Sequence, residues 1–176
     1  MPPTSFNAAD ILFLTFLCVS AASDLFYQKI YNKSIVIFLA GGVFVVVAGI
    51  SETTIQSASL GLLLGFFALL PFYFVGAMGP GDVKFLAVAG WYFGPSNLLY
   101  GSLYGAALGG LGAVVILSRR GALKTTMMRA FEIMKSFLVT GGNIPPPPAD
   151  SIKLPYAFFL AGGLAARVAE IKFLIP

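Results

Sequence analysis

The chain consists of continuous apolar runs separated by short polar breaks. The runs lack the strict alternation of a half-buried strand, so they predict helices rather than sheets or a closed barrel. In lipid every backbone amide must be satisfied within its own segment, which also favours helices. We therefore predict an all-α polytopic membrane protein with six membrane-spanning helices, over 8–23, 35–50, 55–75, 83–93, 98–117 and 154–174.

The fourth run, 83–93, is shorter than the others. A helix of this length rises only about 17 Å, whereas the hydrocarbon core of a bilayer is about 30 Å thick. Either the membrane is thinned locally or the turn at 79–82 lies below the surface. Irregular backbone at that depth is tolerated only where it is buried in protein or lines a wet cavity. The short run is therefore consistent with an active-site cavity.

The composition supports one integral-membrane domain over residues 1–176. The sequence is 58% hydrophobic and 10% charged, which excludes an ordinary soluble domain. It contains no histidine and one cysteine, Cys18, inside an apolar run. Zinc sites, Cys–His nucleophile pairs and disulfides are thereby excluded, and we expect neither a metal nor a cofactor. Cys18 is interpreted as a packing residue.

Basic residues concentrate in the loops of one side. Those loops hold Lys29, Lys33, Lys84, Arg119, Arg120, Lys124, Arg129, Lys135 and Lys153. By the positive-inside rule, the loops at Asp24 and Asp82 face the cytoplasm and both termini are external. The net charge of +4 is thus interpreted as an orientation signal in the cell inner (plasma) membrane, with no nucleic-acid partner.

The loop at 119–153 mixes basic with apolar residues. This pattern predicts a basic amphipathic helix lying at the cytoplasmic membrane interface. The proline run at 145–148 predicts a polyproline II spacer before the last helix. Attraction to anionic lipid and docking of a substrate are both compatible with this loop.

Asp82 lies in the turn Gly79-Pro80-Gly81-Asp82. An acid after such a turn can cap the helix that follows it, which would be a structural role. The glycines at 79 and 81 also allow another backbone to approach closely, as a peptidase requires when an extended substrate lies beside its carboxylate. The two interpretations stay open from the sequence alone.

Asp24 closes the first apolar run. An acid at the C-terminal end of a helix faces the negative pole of the helix dipole, which is unfavourable. Asp24 could instead cap a short following helix over 25–33. An ionisable group at a membrane boundary without structural benefit is a functional candidate.

Asp24 and Asp82 together predict acid–base chemistry at one membrane surface. Two close carboxylates in a partly dry site cannot both stay ionised. The ionised one can take a proton from water while the protonated one polarises a carbonyl. Lys84 would stabilise a charged aspartate or extend to the headgroups. Gln28 and Asn32 would orient substrate backbone or only hydrate their side of the segment.

Three sequence elements carry a family resemblance. The segment 79–86, GPGDVKFL, resembles the GxGD–V–K core of the type IV prepilin peptidases. Asp24 followed by KIYN at 29–32 is similar to the first aspartate and basic–Ile–Pro–Asn element of that family. The LPYA segment at 154–157, before Gly162, resembles its final Pro-Tyr motif. The three elements occur in order over nearly the whole chain.

The resemblance implies an intramembrane aspartic peptidase that removes the short basic leader of type IV pilin-like precursors at the cytoplasmic face. Asp24 and Asp82 match the catalytic pair. The length is similar to the small form associated with Flp/Tad-type pili. Tyr31 replaces the usual proline of the first element. The short segment between Asp24 and Ile35 has no room for the extra region of bifunctional members, which argues against N-methylation.

A non-enzymatic membrane carrier or a pilus assembly subunit is the alternative. In that case the two acids would be ion or contact sites, and precursor processing would not depend on them. The expected partners are pilin-like precursors and membrane lipid. Glycine pairs such as Gly109-Gly110 and Gly162-Gly163 allow close helix packing, either within one chain or in a homo-oligomer.

Overall fold

Helices account for most of the residues that the structure describes. The computed structural model covers residues 6–74, 78–128, 131–132 and 155–174, and these residues contain no strand. The helices are α1 (Ala8–Tyr27), α2 (Asn32–Val47), α3 (Ile55–Phe74), α4 (Pro80–Arg119) and α5 (Tyr156–Ala169), which continues as a π-helix over Glu170–Leu174.

The prediction of an all-α membrane protein is confirmed. Among the described residues, α1, α3 and α4 are long and apolar enough to cross a membrane, and α2 is a shorter apolar helix. The first three predicted runs coincide with α1, α2 and α3, the fourth and fifth both fall within α4, and the sixth overlaps α5 and the π-helix. Six membrane crossings remain a prediction.

Helix α4 is interrupted at Gly94 and Pro95. Gly94 has φ 70° and ψ 173°, which a residue with a side chain adopts only with strain, and proline has no N–H to continue the helix. The carbonyl of Tyr92 accepts a hydrogen bond from the Thr53 hydroxyl at 2.9 Å. The interruption disturbs the regular hydrogen bonding of the helix at this carbonyl. Thr53, in the loop between α2 and α3, supplies a hydrogen-bond donor to it.

The interruption reverses the direction of the chain. Asp82, at the start of α4, lies within electrostatic reach of Asp24. Near the other end of α4, Gly112 packs against the ring of Phe159. Phe159 directly follows Phe158, whose N–H binds Asp24. Both ends of α4 therefore lie at the same end of the bundle. Forty residues of straight helix would measure about 60 Å, twice the hydrocarbon thickness, and the reversal resolves this excess.

Glycines allow the helices to pack at short distance. A Cβ on Gly61 of α3 would overlap the carbonyl of Gly90 in α4, and one on Gly65 would overlap that of Leu86. In the same way, a Cβ on Gly163 of α5 would overlap the backbone of Gly105 in α4. The first part of α4 is thus packed against α3 and the second part against α5.

An aromatic column joins α1 to α4 in the core. The Phe16 and Phe85 rings stack with centroids 5.2 Å apart, and those of Phe13 and Tyr92 with centroids 5.4 Å apart. The Tyr92 hydroxyl donates a hydrogen bond of 2.6 Å to the Phe38 carbonyl. These contacts orient α1 and α4 relative to each other, and Asp24 and Asp82 lie on these two helices.

The predicted interfacial helix falls largely outside the described residues. Residues 123–128 and 131–132 are helical, with Met127, Met128 and Phe131 exposed. The remainder of the predicted helix and the proline spacer at 145–148 lie outside the described part of the chain. Its position at the membrane interface stays a prediction.

Thr53→Val is expected to lower the free energy of unfolding by about 1–3 kcal/mol, because the Tyr92 carbonyl loses its described side-chain donor. Thermal unfolding of the detergent-solubilised protein would measure the loss. Thr53→Ser keeps the hydroxyl and is the matched control, expected to stay close to wild type. Equal stability of the two variants would contradict this role of the hydrogen bond.

Candidate active site

Helix α1 ends at Tyr27, three residues after its buried aspartate. Gln28 forms the C-cap in the left-handed conformation, with φ 50°, and its N–H donates to the Asp24 carbonyl at 2.9 Å. The next helix begins only at Asn32. The predicted helix over 25–33 is therefore wrong, and Asp24 caps no following helix, because α1 continues through Tyr27.

Asp24 is held by the N-terminus of α5. Its side chain is 7% exposed, and its Oδ2 accepts a hydrogen bond from the backbone N–H of Phe158 at 3.2 Å. The first N–H groups of a helix have no partner within the helix, and the dipole makes that end favourable for an acid. The unfavourable dipole of α1 is thus offset by that of α5. The expectation that Asp24 lacks a structural partner is wrong.

Asp82 lies in the first turn of α4 and caps that helix. Its Oδ2 accepts a hydrogen bond from the Gly79 N–H at 3.1 Å, while its own N–H donates to the Gly79 carbonyl at 3.2 Å. The capping role weighed from the sequence is therefore present. Capping uses one carboxylate oxygen, so it is compatible with chemistry at the other.

The ends of three helices bring the two acids together. The charge of Asp24 acts on Asp82, and the charge of Asp82 acts on the hydroxyl of Tyr156 in the first turn of α5. The C-terminal end of α1 and the N-terminal ends of α4 and α5 therefore meet at one end of the bundle. This arrangement combines two carboxylates with two helix N-termini, where negative charge is stabilised.

The two glycines beside Asp82 differ in their surroundings. A Cβ on Gly81 would lie 3.2 Å from the Cβ of Ile30, so the loop between α1 and α2 packs closely on this turn. Among the described residues, a Cβ on Gly79 would meet the Asp82 carboxylate at an ordinary 3.6 Å and the Gly81 N at 4.0 Å. Gly81 is thus needed for packing within the chain, whereas Gly79 has more open surroundings.

The polar residues predicted to shape the site form one pair. Lys84 Nζ donates to Asn32 Oδ1 at 3.0 Å, which joins the first turn of α4 to the start of α2. Both residues are exposed, as is Gln28. The structure therefore brings Lys84 and Asn32 together, and it places Gln28 at a helix end.

Two residues near the acids were not selected as site residues from the sequence. Tyr156 belongs to a segment noted only for its resemblance, yet it faces the charge of Asp82. Ser20 stands one turn before Asp24 in α1 and is 1% exposed, and its Oγ has no hydrogen-bond partner among the described residues. The sequence signal that could have identified Ser20 is its spacing: a serine four residues before an acid lies on the same face of a helix.

A polar cavity of about 360 Å³ lies at the opposite end of the bundle. Asn97, Glu52 and Lys172 are among its lining residues. The described residues contain no group of three or more His, Cys, Asp or Glu side chains that could hold a metal ion. We locate the candidate active site by its two carboxylates, because the cavity contains neither of them.

Comparison with known protein families gives a match. A family model described as the type IV leader peptidase family matches residues 11–114, which is more than half of the chain. The matched segment includes both Asp24 and Asp82. Searches of curated proteins and of solved structures found no match.

Proposed function

Because the chain belongs to the type IV leader peptidase family, we propose that it is an intramembrane aspartic endopeptidase with Asp24 and Asp82 as the catalytic pair. Membership of this family supports a prepilin-type peptidase in general. The observation that supports the specific mechanism is that Asp82, at the N-terminus of α4, lies within electrostatic range of Asp24, which is bonded to the N-terminus of α5.

The hydrogen bonds at the two acids support a preorganised site. The Gly79 N–H orients Asp82, and the Phe158 N–H orients Asp24. Both bonds are made to the Oδ2 atom, and the Ala157 N–H is a further backbone donor to Asp24. In this proposal the Oδ1 atoms receive the water or the peptide carbonyl. Preorganised donors lower the reorganisation needed when charge develops during the reaction.

The proposed reaction is peptide hydrolysis by water. The ionised carboxylate takes a proton from a water molecule whose oxygen attacks the scissile carbonyl carbon, and the protonated carboxyl gives its proton to the carbonyl oxygen. Collapse of the resulting tetrahedral gem-diol breaks the C–N bond: the carboxyl that received the water's proton gives it to the leaving amine, and the other carboxylate takes a proton from a gem-diol hydroxyl. The two acids thereby return to their starting protonation states. The products are a new carboxyl terminus on the leader and a new amino terminus on the mature protein.

The surroundings of Asp82 support binding of an extended peptide. Gly79 presents no side chain beside the acid, and a Cβ there would make only ordinary contacts with the described residues. The Lys84–Asn32 hydrogen bond fixes the start of α2 beside the first turn of α4. In this proposal both residues shape the site, whereas Gln28 contributes by ending α1.

The proposed substrates are type IV pilin-like precursors with a short basic leader before a hydrophobic helix. The hydrophobic helix would enter from the membrane, and cleavage would occur on its cytoplasmic side. The four-residue connection between α1 and α2 supports the small Flp/Tad-type form without N-methylation. We propose a multi-pass protein of the cell inner (plasma) membrane with external termini.

The purified protein, reconstituted in liposomes, is expected to shorten a pilin-like precursor at one bond between the basic leader and the hydrophobic helix. The intact mass of the product identifies the bond. Chelators such as EDTA are expected to leave the rate unchanged, because the two carboxyl groups perform the proton transfers. A precursor without its leader serves as the control substrate and should keep its mass.

Absence of cleavage would contradict the proposed activity. Cleavage that EDTA abolishes would contradict the aspartic mechanism while leaving the peptidase activity in place.

A further inference from the structure

A buried positive charge lies at the end of the bundle opposite the two aspartates. Lys172, in the π-helix after α5, is only 6% exposed. Its Nζ lies 2.8 Å from Oδ2 of Asp10 and 3.5 Å from Oε1 of the largely exposed Glu52. Asp10 Oδ2 also accepts the Asn7 N–H at 3.0 Å, in the capping box of α1. The ammonium group therefore binds an acid that is itself held at the start of α1.

The same two helices are joined at their other ends by Asp24 and Phe158. Asp10 and Asp24 are fourteen residues apart in the sequence, and so are Phe158 and Lys172. Fourteen residues correspond to about 21 Å of helix. Helices α1 and α5 thus run antiparallel, with one electrostatic contact near each end and equal spacing between the contacts.

We propose that the Lys172–Asp10 ion pair sets the register of α5 against α1 and so holds the Phe158 amide at the Asp24 carboxylate. Lys172 and Asp10 are then positioning residues for the peptidase reaction, and this inference rests on the proposed function. An ion pair is suited to this role because apolar contacts between helices specify the axial position weakly. A buried ionic contact is satisfied at one register only, which is the best-attested use of such groups.

A change of register would separate Asp24 from its donor. Sliding α5 by one turn would move the Phe158 N–H by about 5.4 Å along the helix axis. The carboxylate would then lose the hydrogen bond and the favourable dipole of α5. Displacements of about 1 Å already lower the rates of positioned reactions by up to about 10²-fold.

The test uses two readouts on the full protein in liposomes. One is the kcat for precursor processing, and the other is hydrogen exchange of the α5 peptide that contains Phe158. The variants are Lys172→Met, Lys172→Arg and the double variant Asp10→Asn/Lys172→Met. Glu170→Gln is the matched control, because Glu170 pairs with Arg167 of its own helix and with Tyr104 of α4 rather than with α1.

We expect Lys172→Met to lower kcat by about 10²-fold and to speed exchange of the Phe158 amide by about tenfold or more. Lys172→Arg and Glu170→Gln should retain both wild-type values. The double variant leaves no buried unpaired charge, because the remaining partner Glu52 is largely exposed. Its thermal stability should therefore recover while kcat stays low and the Phe158 amide stays unprotected. These results would support a role in register.

A double variant with wild-type kcat and a protected Phe158 amide would overturn the proposal, since the pair would then contribute stability alone. If Lys172→Met fails to fold, the double variant decides by itself. If the wild-type protein cleaves no precursor, the proposed function fails, but the exchange measurements still decide whether the ion pair sets the register.

Discussion

Asp24→Asn and Asp82→Asn are each expected to lower precursor processing by about 10²–10⁴-fold, which is the usual contribution of one positioned acid or base. Asparagine has nearly the shape of aspartate but can neither accept a proton from water nor donate one to a carbonyl. The measurement is the intact mass of the precursor over time, with wild-type and variant proteins in the same liposomes.

The two hydrogen bonds make the choice of variant important. The amide oxygen of asparagine can still accept the Phe158 N–H at position 24 and the Gly79 N–H at position 82. The asparagine variants should therefore remain folded, whereas Asp24→Ala should also lose about 1–3 kcal/mol of stability because the amide donor stays buried and unpaired. Asp24→Asn thus isolates the chemistry from the capping role.

The acid at the opposite end of the bundle supplies a control. Glu170→Gln removes a carboxylate of the same kind that is bonded to Arg167 and Tyr104, and it should leave processing unchanged. Full processing by Asp24→Asn or Asp82→Asn would remove that aspartate from the catalytic pair. If both variants process normally in the liposomes, the two acids have a non-catalytic role and cleavage depends on other groups of the chain.

Gly163→Leu is expected to destabilise the protein by about 3 kcal/mol or more, at the upper end of overpacking costs. A Cβ at this position would overlap the backbone of Gly105, and backbone cannot move aside as a flexible side chain can. Helices α4 and α5 would separate, so processing should also be lost. Thermal unfolding and precursor cleavage would measure the two effects.

Gly110→Leu is the matched control for Gly163→Leu. Gly110 is an exposed residue of α4, and a Cβ there would meet open space within 4 Å. The substitution replaces glycine by a strong helix former, so stability should be unchanged or rise by less than about 1 kcal/mol. Equal destabilisation by the two substitutions would mean that helix propensity, rather than the contact with Gly105, determines the effect.

The apolar pattern was sufficient to predict the helices, because each apolar run must satisfy its backbone hydrogen bonds within its own segment. It was insufficient to predict how the fourth and fifth runs are connected. The sequence contains Gly94-Pro95 at that place, which marks a break but not its geometry. The left-handed φ of Gly94 and the contact of Thr53 with Tyr92 depend on packing between segments far apart in the chain.

The candidate site, like the fold, could be predicted from the sequence only in part. The local context of Asp82 was enough to suggest a cap as one of two interpretations, because the donor Gly79 lies three residues away. The donor to Asp24 lies 134 residues away, in a helix whose position no local pattern reports. For that reason the sequence pointed to an unfavourable dipole at Asp24 and offered, as one alternative, a following helix that the structure does not contain.

From its sequence alone, this protein was determined to be helical, membrane-embedded and equipped with two acids in unusual settings, because hydropathy and turn chemistry act over short stretches of chain. Only the tertiary structure decided that α4 folds back, that α5 supplies its N-terminus to Asp24, and that Lys172 pairs with Asp10. These features depend on contacts between segments that are far apart in the sequence. Such contacts form, and contribute to stability, only after the helices have packed.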